Sequence, residues 1–236
     1  MGFDSGEDSG RALEGVIESG YHIQESVIAS PVCDQITGSL EAASCGLKRA
    51  GLRNLMRSDL IRGVALQRSL LQLVNELHGK PMLPFKATLF SKTGKANWLV
   101  AWHQDTALPL DRFESREGWG ATSRKGGILF AQAPAAALVK VVALRIHLDP
   151  STTTNGPLRV IPGTHNFGVL SNKEIDRVVR EKRGIECLVG KGGVIAMAPL
   201  LLHASSKSLS DEPRRVLHIE YAESRDIEPG IRLAMA

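Results

Sequence analysis

The stretch NWLVAWHQDTALPL, residues 97–110, decides how the rest of the chain is read. Trp98, Leu99, Val100, Ala101 and Trp102 are apolar or aromatic, as in a buried strand. His103, Gln104 and Asp105 follow at once. In an extended chain, side chains two apart share a face, so His103 and Asp105 project together and Gln104 points the other way. A carboxylate at the end of an apolar strand is costly unless it is paired. Either the pair is hydrogen-bonded or a cation sits between the two groups.

The bulk numbers fit a folded domain with no obvious macromolecular partner. The chain has 236 residues, 43% of them hydrophobic, and a formal charge of +4. That length suits one large domain. The basic residues are scattered. Their densest run, RVVREKRG (177–184), is interleaved with acids and reads as a solvated helix face rather than a nucleic-acid stripe. A mild positive bias suits small anionic ligands. Cys33, Cys45 and Cys187 are odd in number and lack metal-type spacing, which points to a reduced, cytoplasmic protein. No apolar run approaches the ~20 residues a membrane helix needs. The opening MGFDSGEDSG reads as a disordered tail over residues 1–10, with a single domain over 11–236.

Two textures follow. Residues 11–85 read as mainly helical. One helix is expected over 29–51, opening on Ser30 and Pro31, and one over 59–79, stopping at Gly79. YHIQESVI (21–28) alternates like a short strand. From residue 85, short strands alternate with Gly, Pro, Asn and Ser turns, and seven or eight of them suggest a jelly roll or barrel. A helix over 172–184 interrupts them. Residues 107–134 read as a long arginine-containing loop, a candidate lid.

The second informative stretch is MAPLLLHASSKSLSDEPRRVLHIEYA (197–222). Ser205 shares the face of His203, and Arg214 comes eleven residues after that histidine. Two histidines and one carboxylate bind one face of non-haem Fe(II) and leave three positions open. A bidentate 2-oxoacid and O2 fill those positions. The far carboxylate of such a co-substrate needs an anchor, and arginine offers a matching fork of donors. His103, Asp105, His203, Ser205 and Arg214 supply this set in chain order.

With WHQD, NGPLRVIPGTH (155–165) and HASS followed by its arginine, the sequence from about 16 to 222 resembles the phytanoyl-CoA dioxygenase-like branch of Fe(II)/2-oxoglutarate-dependent oxygenases. The resemblance implies a mainly β (α+β) fold, a double-stranded β-helix core with N-terminal helices on one sheet. It implies His103, Asp105 and His203 as iron ligands and as the catalytic set. It implies Arg214 and Ser205 at the 2-oxoglutarate C5 carboxylate, with Lys92 at a neighbouring co-substrate position. It implies hydroxylation of a small molecule, with release of succinate and CO2. Related halogenases replace the carboxylate, so Asp105 favours hydroxylation.

Arg145 departs from the family's namesake, which has an aromatic residue there. It can face the co-substrate or an acidic substrate, or pair with Asp149 or Glu220. His147 reads as a hydrogen-bonded barrel residue, His165 as part of a turn, and His218 as packing or lining on the Arg214 face. GKGG (190–193) opens a strand, not a helix, so it is no phosphate cradle. Two other classes of function compete with the oxygenase. A zinc-dependent hydrolase could use the same three ligands, but would not need Arg214. A non-catalytic jelly-roll binding module would need no ligands.

Overall fold

The computed structural model describes residues 18–43, 51–92 and 97–236. The tail expected over residues 1–10, and Cys45, lie outside the described residues.

The chain enters through β1 (Tyr21–Gln24) and α1 (Ser30–Ala43), which begins at the expected Ser30. The expected helix over 29–51 does not persist to its end, because Gly51 lies in β2 (Gly51–Leu52) opposite Phe90. A Cβ on Gly51 would stand 2.4 Å from the Leu89 carbonyl oxygen, so only glycine permits this approach.

The single helix expected over 59–79 is two, α2 (Asp59–Ala65) and α3 (Arg68–His78). Gln67 takes an extended conformation (φ −60°, ψ 138°) between them. Both pieces keep helical spacing, so periodicity could not reveal the break. The break lets Ala65 and Leu70 both be fully buried against the same core. Gly79 ends α3 in the left-handed region (φ 69°), as its position predicts.

The remaining elements are β3 (Leu83–Lys92), β4 (Val100–His103), β5 (Ala107–Phe113), β6 (Thr122–Lys125), β7 (Ile128–Gln132), α4 (Ala135–Leu138), β8 (Val141–His147), β9 (Leu158–Val160), α5 (Asn172–Glu181), β10 (Ile185–Cys187), β11 (Val194–Met197), β12 (His203–Ser205), β13 (Arg214–Ala222), β14 (Asp226–Glu228) and β15 (Ile231–Leu233). Ser171 and Glu174 cap α5 reciprocally.

Three antiparallel sheets result. The largest runs β1-β11-β8-β13-β3-β2 and the second β10-β9-β12-β4. The third runs β14-β15-β5-β7-β6. It overturns the expectation of a loop over 107–134. Leu108, Leu110 and Ala131 bury one side of this sheet, Ile128 and Phe130 pack on the other, and Arg112 pairs with Asp226 of the C-terminal hairpin at 3.4 Å. The polar residues of this stretch hid its short apolar alternation.

The large sheet inverts the usual pattern of polar outside and apolar inside. On β13, Leu217, Ile219 and Tyr221 pack against the helices, as do Leu144 and Ile146 of β8 and Ala87 and Leu89 of β3. The alternate residues face inward: Lys86, Thr88, Phe90 and Lys92 on β3, Arg145 and His147 on β8, Arg214, Val216, His218 and Glu220 on β13. The helices supply the hydrophobic cover, so the inner face is free to carry charge. Among the described residues, no helix is long and apolar enough to cross a membrane.

Candidate active site

His103 ends β4, and β4 pairs with β12 so that His203 lies directly opposite. The two imidazole centroids are 4.1 Å apart. Asp105 returns toward them, its backbone N–H donating to Pro199 O at 2.8 Å. One Asp105 oxygen lies 3.7 Å from His103 Nε2, and the other 3.5 Å from His203 Nε2. One ligand atom from each residue lies within 4.8 Å of the other two.

The backbone sets the tautomers. His103 Nδ1–H donates to Ala101 O at 2.8 Å and His203 Nδ1–H to Leu201 O at 2.9 Å. With Nδ1 engaged in this way, each ring turns its Nε2 toward Asp105. Burial pushes His203 down to about 4, although Asp105 pulls the other way, so this ring is neutral near pH 7. Burial opposes ionisation of Asp105, but the facing His203, His218, Lys86 and His103 hold its carboxyl below the usual range. Two ring nitrogens and a carboxylate thus converge on one point. That donor set fits a divalent metal ion, and nitrogen and oxygen ligands suit iron. His103 and Asp105 stay 40% and 37% exposed through the cavity while His203 is 4% exposed, so the open side lies along β4.

The same cavity is lined by Phe90, Lys92, Trp98, Arg145, Ser205 and Arg214. Arg214 donates from Nε to Asn155 O at 3.3 Å and from Nη2 to Ser205 Oγ at 3.4 Å, and its buried Nη1 has no partner. Ser205 donates to Gly156 O at 2.9 Å and accepts from Lys92 Nζ at 2.7 Å. Lys92 also reaches Ser206 O, and its ammonium lies 5.5 Å above the Trp98 ring. Burial, then Arg214 and Arg145, lower Lys92 to about 7. Orphaned buried donors are rare in proteins, and the free Nη1 marks a place for an acceptor. A carboxylate fits it.

The structure therefore brings together all seven residues singled out from sequence: His103, Asp105, His203, Arg214, Ser205, Lys92 and Arg145. Gln104 points away, as expected. Its Nε2 donates to Gly168 O and Leu200 O, and its Oε1 accepts from Leu170 N. His147 differs from expectation. Both of its ring nitrogens are buried without a partner, and burial, with Arg145 and Arg214 nearby, drops it to about 3. His218 joins Arg145 Nη1 at 3.3 Å to Glu220 at 3.2 Å, and Glu220 pairs with Lys86 at 2.6 Å. Sequence reasoning missed Phe90 and Lys86, and named Glu220 only as a partner open to Arg145. Counting by twos from Lys92 and Arg214 would have found them.

The inner face of this jelly roll thus carries a metal-type His–Asp–His triad beside an arginine with one unpartnered nitrogen. Residues 46–216 match the family described as Phytanoyl-CoA dioxygenase (PhyH). The match spans most of the chain, and the protein belongs to that family. Members of that family use Fe(II), 2-oxoglutarate and O2, and the His103, Asp105 and His203 donor set fits such a metal.

A curated relative, L-proline trans-4-hydroxylase of Streptomyces griseoviridis, is 25% identical over 179 residues, covering 65% of this chain. This chain spans 59% of that relative's length. AviO1 from Streptomyces viridochromogenes Tue57 shares the fold at TM-score 0.69 and 22% identity, over 96% of this chain and 98% of its own. EctD from S. alaskensis, solved with 2-oxoglutarate and 5-hydroxyectoine, does so at TM-score 0.69 and 18% identity, over 94% and 78%. The epimerase SnoN from nogalamycin biosynthesis, solved with Fe3+ and alpha ketoglutarate, reaches 0.71 at 15% identity, over 93% and 85%.

Proposed function

We propose that this protein hydroxylates a small organic substrate, consuming 2-oxoglutarate and O2 and releasing succinate and CO2. His103, Asp105 and His203 hold Fe(II). Arg214 and Ser205 hold the C5 carboxylate of 2-oxoglutarate, with Lys92 beside them. Arg145 faces the same space, and the ligand it meets is taken up below.

The observation that carries this reading is the convergence of two Nε2 lone pairs and the Asp105 carboxylate in one cavity with the unpartnered Arg214 Nη1. Bound iron supplies the oxidative decarboxylation and the C–H oxidation. The protein supplies the geometry. Ala101 O and Leu201 O accept the Nδ1 protons and so keep Nε2 free at both histidines. Arg214 fixes one end of the co-substrate by charge-assisted hydrogen bonds. Phe90 and Trp98 wall the space with aromatic surface and limit its water.

Hydroxylation, rather than another oxidative outcome, is supported by retention of the Asp105 ligand and by the likeness to a proline hydroxylase. The reading treats residues 11–236 as one domain, supported by a hydrophobic core that packs the helices on the largest sheet. It places the protein in the cytoplasm, supported by free, buried Cys33 and Cys187.

Anaerobic addition of Fe(II) and 2-oxoglutarate tests the proposal. A weak visible charge-transfer band is expected, lost in His203→Ala. In air, iron-dependent succinate release should follow and zinc should inhibit it. Zinc-supported hydrolysis without succinate would instead favour a hydrolase, and neither activity would favour a binding module.

A further inference from the structure

Among the described residues three cationic side chains line the cavity, and the co-substrate reading employs Arg214 and Lys92. Arg145 is left over. It sits in the middle of β8, is only 7% exposed, and lines the cavity that contains the triad. Both carboxylates within reach by sequence are already engaged. Asp149 accepts Arg215 Nε at 2.6 Å and Nη2 at 2.7 Å. Glu220 accepts Lys86 at 2.6 Å and His218 at 3.2 Å.

Among the described residues Arg145 has no carboxylate in hydrogen-bonding contact, and Asp105 acts on it only through its field. Its Nη1 donates to His218 Nδ1 at 3.3 Å, and its guanidinium lies 5.5 Å over the Phe90 ring. Because arginine only donates, His218 Nδ1 must be the acceptor, and the His218 proton sits on Nε2 facing Glu220. Arg145 Nε is buried and has no partner. A guanidinium does not lose its proton, so this is a buried positive charge without a direct counter-ion, which is costly in a folded protein. A ligand anion removes that cost.

Strand register separates this anion from the co-substrate anchor. Arg214 pairs with Lys92 across β13 and β3, whereas Arg145 pairs with His218, four residues further along β13. At about 3.3 Å per residue the two backbone positions are roughly 13 Å apart along the strand, while the side chains converge on one cavity in which Arg145 still acts on Arg214 through its charge. Charge points the same way. Asp105 and the 2-oxoglutarate dianion together are matched by ferrous iron and Arg214 even before Lys92 is counted, so Arg145 still lacks an anion when the co-substrate is in place.

Resting on the oxygenase reading above, we propose that Arg145, held by His218 and Phe90, binds a carboxylate on the substrate, and that the substrate is a compact organic acid.

Matched acid and amide pairs test this: L-proline with L-prolinamide, and cyclohexanecarboxylate with its amide. Each is titrated calorimetrically into anaerobic enzyme loaded with Fe(II) and 2-oxoglutarate. At least one acid is expected to bind wild type about tenfold or more tighter than its amide, the scale of a charge-assisted hydrogen bond. In Arg145→Gln that preference should vanish while 2-oxoglutarate affinity stays within about threefold. Should Arg145→Gln fold poorly, Arg145→Lys keeps the charge without the fork and should retain only part of the preference. The proposal is overturned if no acid is preferred in wild type, or if Arg145→Gln weakens 2-oxoglutarate as much as Arg214→Gln does. If Arg214→Gln leaves 2-oxoglutarate binding intact, the oxygenase site reading fails and takes this one with it.

Discussion

His103 and His203 stand directly opposite each other on paired antiparallel strands, their ring centroids 4.1 Å apart. The pairing turns two residues a hundred positions apart into neighbours. Backbone carbonyls two residues before each histidine then turn both Nε2 atoms the same way. The candidate cation site is thus a property of strand register as much as of residue type.

Removing one ligand should abolish metal binding without unfolding the protein. His203→Ala is expected to weaken Fe(II) by more than about 100-fold, beyond what loss of a mere supporting residue does. Metal stoichiometry after gel filtration, with circular dichroism as the control, checks this. Full iron occupancy in a folded His203→Ala protein would contradict the ligand assignment.

Arg214→Gln should raise the 2-oxoglutarate Kd by roughly 10- to 100-fold, equivalent to about 1.5–3 kcal/mol for a hydrogen-bonded charge. Arg214→Lys should restore part of the affinity, because charge survives and the fork does not. Calorimetry on the metal-loaded protein measures both. An unchanged Kd would place the C5 carboxylate elsewhere.

Lys92 gives a pH signature. Its ammonium is held down to about 7, so raising the pH through that value removes a positive charge from the cavity. Affinity for 2-oxoglutarate should therefore fall as pH rises from 6 to 8.5 (approximate bounds either side of that value). For stability the sign is opposite. Between about 7 and 10 the unfolded chain holds the Lys92 proton and the folded one does not, so this residue's contribution rises with pH. Lys92→Met should flatten both dependences, read by calorimetry and by denaturant unfolding across pH.

Gly192→Ala should destabilise the fold with no direct effect on the site. Gly192 has φ +82°, and a Cβ there would stand 2.0 Å from the Ile28 carbonyl oxygen. Together the left-handed backbone and the clash cost on the order of 1–3 kcal/mol, seen as a lower Tm. An unchanged Tm would show that the Gly192 turn relaxes freely.

Much of this architecture was legible in the chain. The strands β3, β4, β8, β9, β11, β12 and β13, α5, the stop at Gly79 and the turning of Gln104 away from His103 and Asp105 all follow from periods of two and 3.6 and from end signals. The break at Gln67 and the sheet over 107–134 did not, for different reasons. The helical phase hardly changes across Gln67, and the apolar alternation of the third sheet is short and embedded among charges. Its cover comes from β14 and β15, more than ninety residues away.

Sequence alone determined the chemical inventory: a histidine and an acid two apart, a second histidine, and an arginine eleven residues beyond it, which together name the chemistry. Tertiary structure decided what those groups meet. It paired Asp149 with Arg215 and Glu220 with Lys86, and left Arg145 beside a neutral imidazole. It also left one nitrogen of Arg214 unsatisfied. The reason is physical. Which face a side chain takes is a local property of the backbone, whereas its partner depends on which strands become neighbours and in what register.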